Sequence, residues 1–499
     1  MADTVENVSA RGFPGTVPSM IDAISPAGRI SRLRRRALCC VAVVCMVSVP
    51  SAVLAATLQE ALVQAYQANP TLNAQRASTR ASDEGVPQAL SGYRPQISAS
   101  ADSGVTGTRN RGLRSTTGTY STVETGTVTA SAGLSVTQPL FDGFRTKNSV
   151  RAAESNVLAS RETLLNTEQN VLFDAVEAYM NVLRDFAILD LNRNNVDLLD
   201  EERRATKERF DVGEVTRTDT ALSESRLAAA RSQLSVAEAN LKASRAIYRQ
   251  VIGAEPTRLH PSQPIDRLLP RTQQEALEIA YAEHPAVRAA FHAVDVAELN
   301  VRVIQGELAP SLSLQANAGY QWDENHVSPG TDNYSRTAQG SVLGVLSVPI
   351  YQGGQEYSRV REAKEVLGQR RLEAEAVRDQ VRAAVVSAWG ALEGAKAQIV
   401  AAQAQVEAST IALAGVREEQ RVGQRTFLDV LNFQQEQLDA RTALITAQRD
   451  RVVASYALLQ AIGRLNVARL GLKVPTYDAR IHYDQVRDKW VGLRTPDGR

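Results

Sequence analysis

Thr57-Leu58-Gln59-Glu60-Ala61-Leu62, followed by Ala65-Tyr66 and Asn69-Pro70, returns as Thr272-Gln273-Gln274-Glu275-Ala276-Leu277, then Ala280-Tyr281 and His284-Pro285. The offset of 215 residues also carries Pro95 onto Pro310. Past a loop the register shifts once, to 210 residues, where Pro139-Leu140-Phe141-Asp142-Gly143 matches Pro349-Ile350-Tyr351-Gln352-Gly353. That second offset superposes Tyr179 on Trp389, Val212-Gly213 on Val422-Gly423, Asp219 on Asp429 and Ile252-Gly253 on Ile462-Gly463. Turn glycines and prolines held in step over such a distance indicate an internal duplication, because chance similarity between helical sequences does not preserve them.

Each copy contains a long stretch without helix breakers. No proline lies between Pro139 and Pro256 or between Pro349 and Pro475, and between Gly143 and Gly253 the only glycine is Gly213. Two long helices per copy, joined at the Val-Gly turn, are therefore expected. A helix from Arg145 to Phe210 would be about 100 Å long at 1.5 Å per residue. After the turns, Leu431, Leu438, Ile445, Val452 and Leu459 recur every seven residues, as do Leu227, Leu234 and Leu241. That spacing suits antiparallel coiled-coil packing, although an ordinary helical bundle accounts for it equally well.

Between the short first helices and the long ones the period changes from helix to strand. Leu312, Leu314, Ala316, Ala318, Tyr320 and Trp322 alternate with Ser311, Ser313, Gln315, Asn317, Gly319 and Gln321. Val128, Ala130, Ala132, Leu134 and Val136 likewise alternate with small or polar residues from Thr127 to Thr137. The partner strands, near 96–107 and 337–349, are less regular, with Leu343 and Val345 on the nominally polar face. A lipid-facing barrel with a wet lumen needs this pattern, but a half-buried soluble sheet produces it too. If the strands span a membrane, four per chain are too few to close a barrel alone; three copies in cyclic symmetry give twelve.

Composition narrows the alternatives. With 499 residues, 43% of them hydrophobic, the chain can build a large core, and a net charge of +1 gives no basic excess for nucleic acid. Arg32, Arg34, Arg35 and Arg36 precede an apolar run from Ala37 to Val49 and the small-residue exit Val53-Leu54-Ala55. This pattern predicts a secretory signal cleaved after Ala55, with Met20 giving a more ordinary start than Met1. All three cysteines, Cys39, Cys40 and Cys45, lie inside that signal, so neither a disulfide nor a thiol nucleophile is expected in the mature protein. After Ala55 no apolar stretch of roughly 18 residues stands out, so strands are the expected means of crossing a membrane.

These features together resemble the TolC family of outer-membrane efflux and type I secretion proteins, from about Thr57 to Gly463. The resemblance rests on the repeated Leu-x-Glu-Ala-Leu opening and the Pro-x-aromatic-x-Gly strand exits. Two helix-turn segments complete it: Arg209-Phe210-Asp211-Val212-Gly213 with Thr218-Asp219, and Val422-Gly423-Gln424-Arg425-Thr426-Phe427-Leu428-Asp429-Val430-Leu431-Asn432. It implies an α+β membrane protein, a homotrimer in which antiparallel coiled-coil helices form a periplasmic α-barrel beneath a twelve-stranded β-barrel in outer-membrane lipid. It also implies a passive exit duct for small molecules or unfolded protein. The partners would be a periplasmic adaptor, docking at the tips Val212, Gly213, Val422 and Gly423, and an inner-membrane transporter of the RND, ABC or MFS type. In such proteins the second helix pair closes the tip, and acidic positions after the second turn form the narrowest ring. Asp429 matches the first such position, but Asn432 replaces the second. If helix pairs of the two copies meet at the tip, as the resemblance implies, Arg425 can bond Asp219 or Thr218 and hold the second pair inward; otherwise Arg425 and Asp219 are solvated turn residues.

A periplasmic coiled-coil adaptor is the rival, but such a protein carries one hairpin flanked by small β-domains and not a duplicated plan. An enzyme fits poorly. His260, His284, His292, His326 and His482 have no metal-ligand spacing, and no phosphate loop or nucleophile elbow occurs, so neither cofactor nor metal is expected. The chain thus divides into an extension and signal (1–55), a first repeat (56–255), a linker (256–271), a second repeat (272–463) and a tail (464–499), equatorial or disordered. Long helices are expected at 145–211, 218–251, 354–421 and 428–461, and strands near 96–107, 127–141, 311–322 and 337–351.

Overall fold

A computed structural model of the chain describes residues 57–114, 116 and 118–498. The signal, its cleavage site and the three cysteines lie outside the described residues. Helix α1 (Leu58–Ala68) opens with a capping box in which Thr57 and Glu60 satisfy each other's backbone N–H groups. Helix α2 (Pro70–Asp83) begins at Asn69, whose Oδ1 accepts from the N–H groups of Thr71 and Leu72. The second copy repeats this start: α6 (Gln273–Glu283) is capped by Thr272, and α7 (Pro285–Gln305) by His284. Asn69 and His284 occupy matched positions, each followed by a proline that needs no N–H partner at the first helical residue.

The copies then diverge. The first copy breaks after α2 and continues as the short helix α3 (Gly85–Leu90), whereas α7 runs unbroken. At the same offset Gly85 and Pro87 correspond to Asn300 and Arg302, and only the first pair disfavours a continuous helix.

Strands β1 (Gln96–Arg114), β2 (Thr119–Phe141), β3 (Ser311–Ser328) and β4 (Asn333–Ser347) form one antiparallel sheet in the order β1-β2-β3-β4. At the β1–β2 and β3–β4 turns the strands run past the expected limits, because pairing continues through charged residues such as Arg109 and Asp323 where the alternation has ended. Register places Ile97 opposite Val136, Val136 opposite Ala316 and Ala316 opposite Val342, so one face carries small and apolar side chains across all four strands. The other face is polar and internally bonded: Ser98 to Ser135 (2.7 Å), Ser131 to Asp102 (2.6 Å) and Thr127 to Asn325 (2.7 Å). Leu343 and Val345 fall on that polar face opposite Gln315 and Ser313.

Helices α4 (Arg145–Asp211) and α8 (Gln355–Arg421) have 67 residues each, and pair with α5 (Arg217–Ile252) and α9 (Phe427–Ala461). At 1.5 Å per residue the longer members reach about 100 Å. Of the heptad residues, Leu227, Leu241, Leu431, Leu438, Val452 and Leu459 are all under 9% exposed, whereas Leu234 and Ile445 are only half-buried. One expectation needs correction: α8 is long and apolar enough to cross a membrane, with an 18-residue window of mean hydropathy 1.3. Alanine, valine and isoleucine raise that average although glutamines break up the apolar runs, and α8 is packed against α9 and α7.

The main core lies midway along the helices, where Leu172, Val176, Tyr179, Ile252, Val385, Leu392 and Leu458 pack with residues of α1 and α6. Fully burying each large side chain contributes about 1.5–3 kcal/mol. The tail runs across this region and carries α10 (Ala479–Val486) onto α2. Arg76 stacks over Tyr66 and Tyr477, and His482 Nδ1 lies 3.0 Å from the fully buried Asp83 carboxylate. Burial pushes Asp83 above the usual carboxylate range, opposed by His482 and Arg161.

The passage from sheet to helix is tight in the first copy. Gly143 adopts φ 69° and sits so close to Gly306 that a Cβ there would meet the Gly306 carbonyl oxygen at 2.5 Å. Its counterpart Gly353 has φ 68° but open space around it. Gly353→Ala should therefore cost only the left-handed backbone strain, about 1–2 kcal/mol, whereas Gly143→Ala adds a backbone clash worth about 1–3 kcal/mol more. Urea midpoints of the two variants measure the difference, and equal midpoints would refute the close approach.

Candidate functional site

Both hairpins turn in the same way because both end their first helix with Val-Gly. Gly213 N–H donates to Phe210 O (2.9 Å) and Glu214 N–H to Arg209 O (2.8 Å); Gly423 and Gln424 repeat the pair at 3.0 and 2.9 Å. This doubly bonded ending needs a left-handed residue, and the glycines supply it at φ 81° and 79°. Val212 and Val422 project from the turns, 79% and 71% exposed.

Asp219 and Asp429 follow at matched positions, and each completes a capping box. Thr426 N–H and Oγ1–H donate to Asp429 Oδ2 at 3.0 and 2.7 Å, and Asp429 N–H donates back to Thr426 Oγ1 at 3.2 Å. Thr216 and Asp219 do the same at 3.0, 2.8 and 3.3 Å. The Thr426 bonds, and then Arg425, hold Asp429 below the usual carboxylate range. The spacing Thr-x-x-Asp before a helix is a capping signature, so this role was available in the sequence alongside the constriction role.

The structure does not bring Arg425 to Asp219 or Thr218 within the chain. Arg425 Nε donates to Glu419 Oε2 at 2.9 Å, closing its own turn, and Thr218 is exposed on α5. The local partner wins because it lies only six residues away across a rigid turn. The pair is about half exposed on both sides, where such pairs contribute roughly 0–1 kcal/mol.

Links between the two hairpins lie farther from the tip. Arg226 of α5 donates to Asn432 Oδ1 of α9 at 2.6 Å. Gln434 of α9 donates to Glu202 of α4, and Arg417 of α8 approaches the same carboxylate at 3.9 Å. Three helices thus converge on one carboxylate, between the apolar clusters of Leu199, Leu227, Ala230 and Leu431 and of Leu413, Val416 and Val430. Glu202 Oε2, Arg203 Nε and Gln434 Oε1 are buried without a hydrogen-bond partner among the described residues. Burial pushes Glu202 above its ordinary range, against the pull of Gln434 and Arg417. Glu202, Arg226, Arg417 and Gln434 were not foreseen, since pairs 206 and 232 residues apart leave no local pattern. Among the described residues, no group of three or more His, Cys, Asp or Glu side chains is arranged to hold a metal ion.

The sign of the Glu202 contribution follows from linkage. Its folded value lies above its unfolded one, so this contribution is complete below the unfolded value and is lost as pH rises through the folded value. Glu202→Gln keeps the hydrogen-bonding shape and removes the buried charge. The thermal midpoint of the variant relative to the native protein should therefore be higher near pH 8 than near pH 5, by about 1 °C for a difference of about 1 kcal/mol in a chain of this length. A pH-independent offset would remove the carboxylate from this role.

The model of the family described as outer membrane efflux protein matches residues 61–254 and 276–464, which are the two copies of the repeat. The chain is 44% identical over 449 residues to the outer membrane efflux protein BepC of Brucella suis, covering 90% of this chain and 94% of that one. It is 25% identical over 427 residues to the outer membrane protein TolC of Escherichia coli, covering 82% and 83%. Its fold matches the crystal structure of the Campylobacter jejuni CmeC outer membrane channel with a TM-score of 0.68 at 16% identity, over 86% and 89% of the two chains.

Proposed function

This chain belongs to the outer membrane efflux protein family, the TolC-like channels of the outer membrane, and on that premise we propose that three copies close one continuous duct through which cargo leaves passively. The observation that carries the proposal is the open sheet. Strands β1 and β4 each have one unpaired edge, and the apolar face is continuous across all four strands. In hydrocarbon each unpaired backbone group costs several kcal/mol, so the edges must meet other edges. Three copies supply twelve strands, with the apolar face toward lipid and the serine, threonine and asparagine face toward the lumen.

Strand chemistry supports the orientation. On β1 the small and apolar alternation runs from Ile97 to Val105, close to the 9–11 residues that a tilted strand needs to cross the bilayer core, and Arg109 and Arg111 follow it. The charged end faces outside the cell, and the helices extend into the periplasm. Exposed Leu372, Val400 and Ile411 on α8 are covered by the neighbouring copy, which explains why that helix is so apolar.

At the far end the two Val-Gly turns form the docking tips for a periplasmic adaptor, which couples the duct to an inner-membrane pump of the RND, ABC or MFS type. Asp429 and Asn432 line the narrowest passage, with Arg425, Thr218 and Asp219 around it. The closed state is held by the Glu202, Gln434 and Arg417 junction and by the Arg226 to Asn432 bond. Such polar links can be exchanged without unfolding a helix. The cargo is small molecules or unfolded protein, selected by the pump. The adaptor reading lacks support, since relatives matched along nearly their whole length are outer-membrane proteins.

Native mass measurement in mild detergent should find trimers, and a membrane-inserted monomer would refute the duct. In planar bilayers, Arg226→Ala and Gln434→Ala should each raise single-channel conductance. Arg425→Ala should change it less, because its link within the chain does not join the hairpins. Unchanged conductance in the first two variants, with trimers intact, would move the latch to the turns.

A further inference from the structure

The geometry points to a binding site for an amphipathic organic anion, an apolar body carrying one carboxylate or sulfonate, beneath the loop that leaves α5. A cavity of about 510 Å³ opens there between α4, α5 and residues 256–260. That volume lies within the range of small-molecule sites. Its apolar walls are Val182, Leu183 and Phe186 of α4 and Leu259 of the loop, and its cations are Arg245 of α5 and Arg258. No Asp or Glu lines it.

The cavity is preformed. Tyr179, fully buried, donates through its hydroxyl to the His260 carbonyl at 2.7 Å and pins the loop over the helices. Gly253, left-handed at φ 85°, sets the direction in which the chain leaves α5. Phe186 nevertheless stays 54% exposed beside the buried Val182, so over half of its aromatic surface is uncovered within the chain.

The charge is equally unmet. The nearby carboxylate of Glu255 is engaged by Arg249 at 2.7 Å. Neither the Arg245 nor the Arg258 guanidinium is engaged in an ion pair or hydrogen bond among the described residues. Guanidinium groups form paired, charge-assisted bonds with planar oxyanions, and two of them beside an apolar wall match a carboxylate or sulfonate attached to a ring or chain.

Duplication supplies an internal control. The positions matched to Leu183, Phe186 and Arg245 are Glu393, Lys396 and Ser455. Glu393 and Lys396 neutralise each other at 2.8 Å, and Ser455 is buried, accepting from the Ile265 N–H at 3.4 Å. The second copy carries an exposed, self-neutralising pair and a serine buried under the 256–271 segment at this place; the first has kept it apolar, cationic and open. From Phe186 to the end of α4 is 25 residues, which puts the site about 40 Å from the tip and away from the latch.

The test is isothermal titration of the full-length protein in lipid nanodiscs with 2-naphthoate, against 2-naphthylmethylammonium as a cation of the same shape. The naphthoate should saturate at one per chain and the cation should not bind. The double variant R245Q/R258Q should weaken the naphthoate by about tenfold or more, and Leu259→Trp, which fills the cavity without touching the charges, should abolish binding. Native mass measurement of the same samples accompanies each titration. Absence of saturation, equal binding of the cation, or affinity unchanged in both variants would overturn the proposal. So would dissociation of the double variant into monomers with no bound naphthoate in the native protein, which would assign the arginines to a neighbouring copy. If the double variant does not fold, Leu259→Trp alone decides.

Discussion

A β-strand edge presents a row of N–H and C=O groups that must be bonded, and hydrocarbon offers no partner for them. The four-stranded sheet of this chain ends on two such edges, and most of the architecture answers to that fact. The three-copy duct proposed above would satisfy both edges, and it would place the helices beneath the sheet around the same axis as the strands. The turn from strand to helix is correspondingly tight: Gly143 and Gly306 meet backbone to backbone, with no space for a side chain between them.

Duplication gives the two copies first hairpin helices of 67 residues each and equal turns, and the differences between the copies are local. Both hairpin tips have the same glycine ending and the same Thr-Asp capping box. What differs is how they are tied. The Glu202 position is alanine in the second copy, and Asn432 corresponds to Leu222, so the polar junction exists once per chain and joins unlike partners. A buried carboxylate with an unsatisfied oxygen is a poor source of stability, which suits the exchangeable latch proposed for it.

Much of this was legible in the sequence. The repeat, the hairpins and the apolar alternation of β2 and β3 follow from glycine and proline positions and from period-two patterning, which are local and strongly constrained. Strand ends were less legible because backbone pairing outlasts the alternation, as at Arg109 and Asp323. The apolarity of α8 was underestimated because glutamines scatter through it. At the candidate site, the turns were readable, and the caps at Asp219 and Asp429 were readable but competed with another role. The Arg425 partner came from matching the two tips, and within the chain a nearer carboxylate takes it. Glu202, Gln434 and Arg226 could not be found, because nothing local links residues more than 200 positions apart.

The hairpin tips are finished structures before anything touches them. Each turn bonds its own last carbonyls through the glycine ending and its own first N–H groups through the capping box, so little backbone there is left to be ordered. A flexible loop would surrender roughly 1–2 kcal/mol of conformational entropy per residue on being held. These tips would surrender little, and the adaptor proposed to dock there would meet rigid knobs crowned by Val212 and Val422. Recognition of that kind depends on shape and apolar contact more than on backbone hydrogen bonds. It favours reversible encounters, in which a docked partner leaves the tip in the conformation in which it found it.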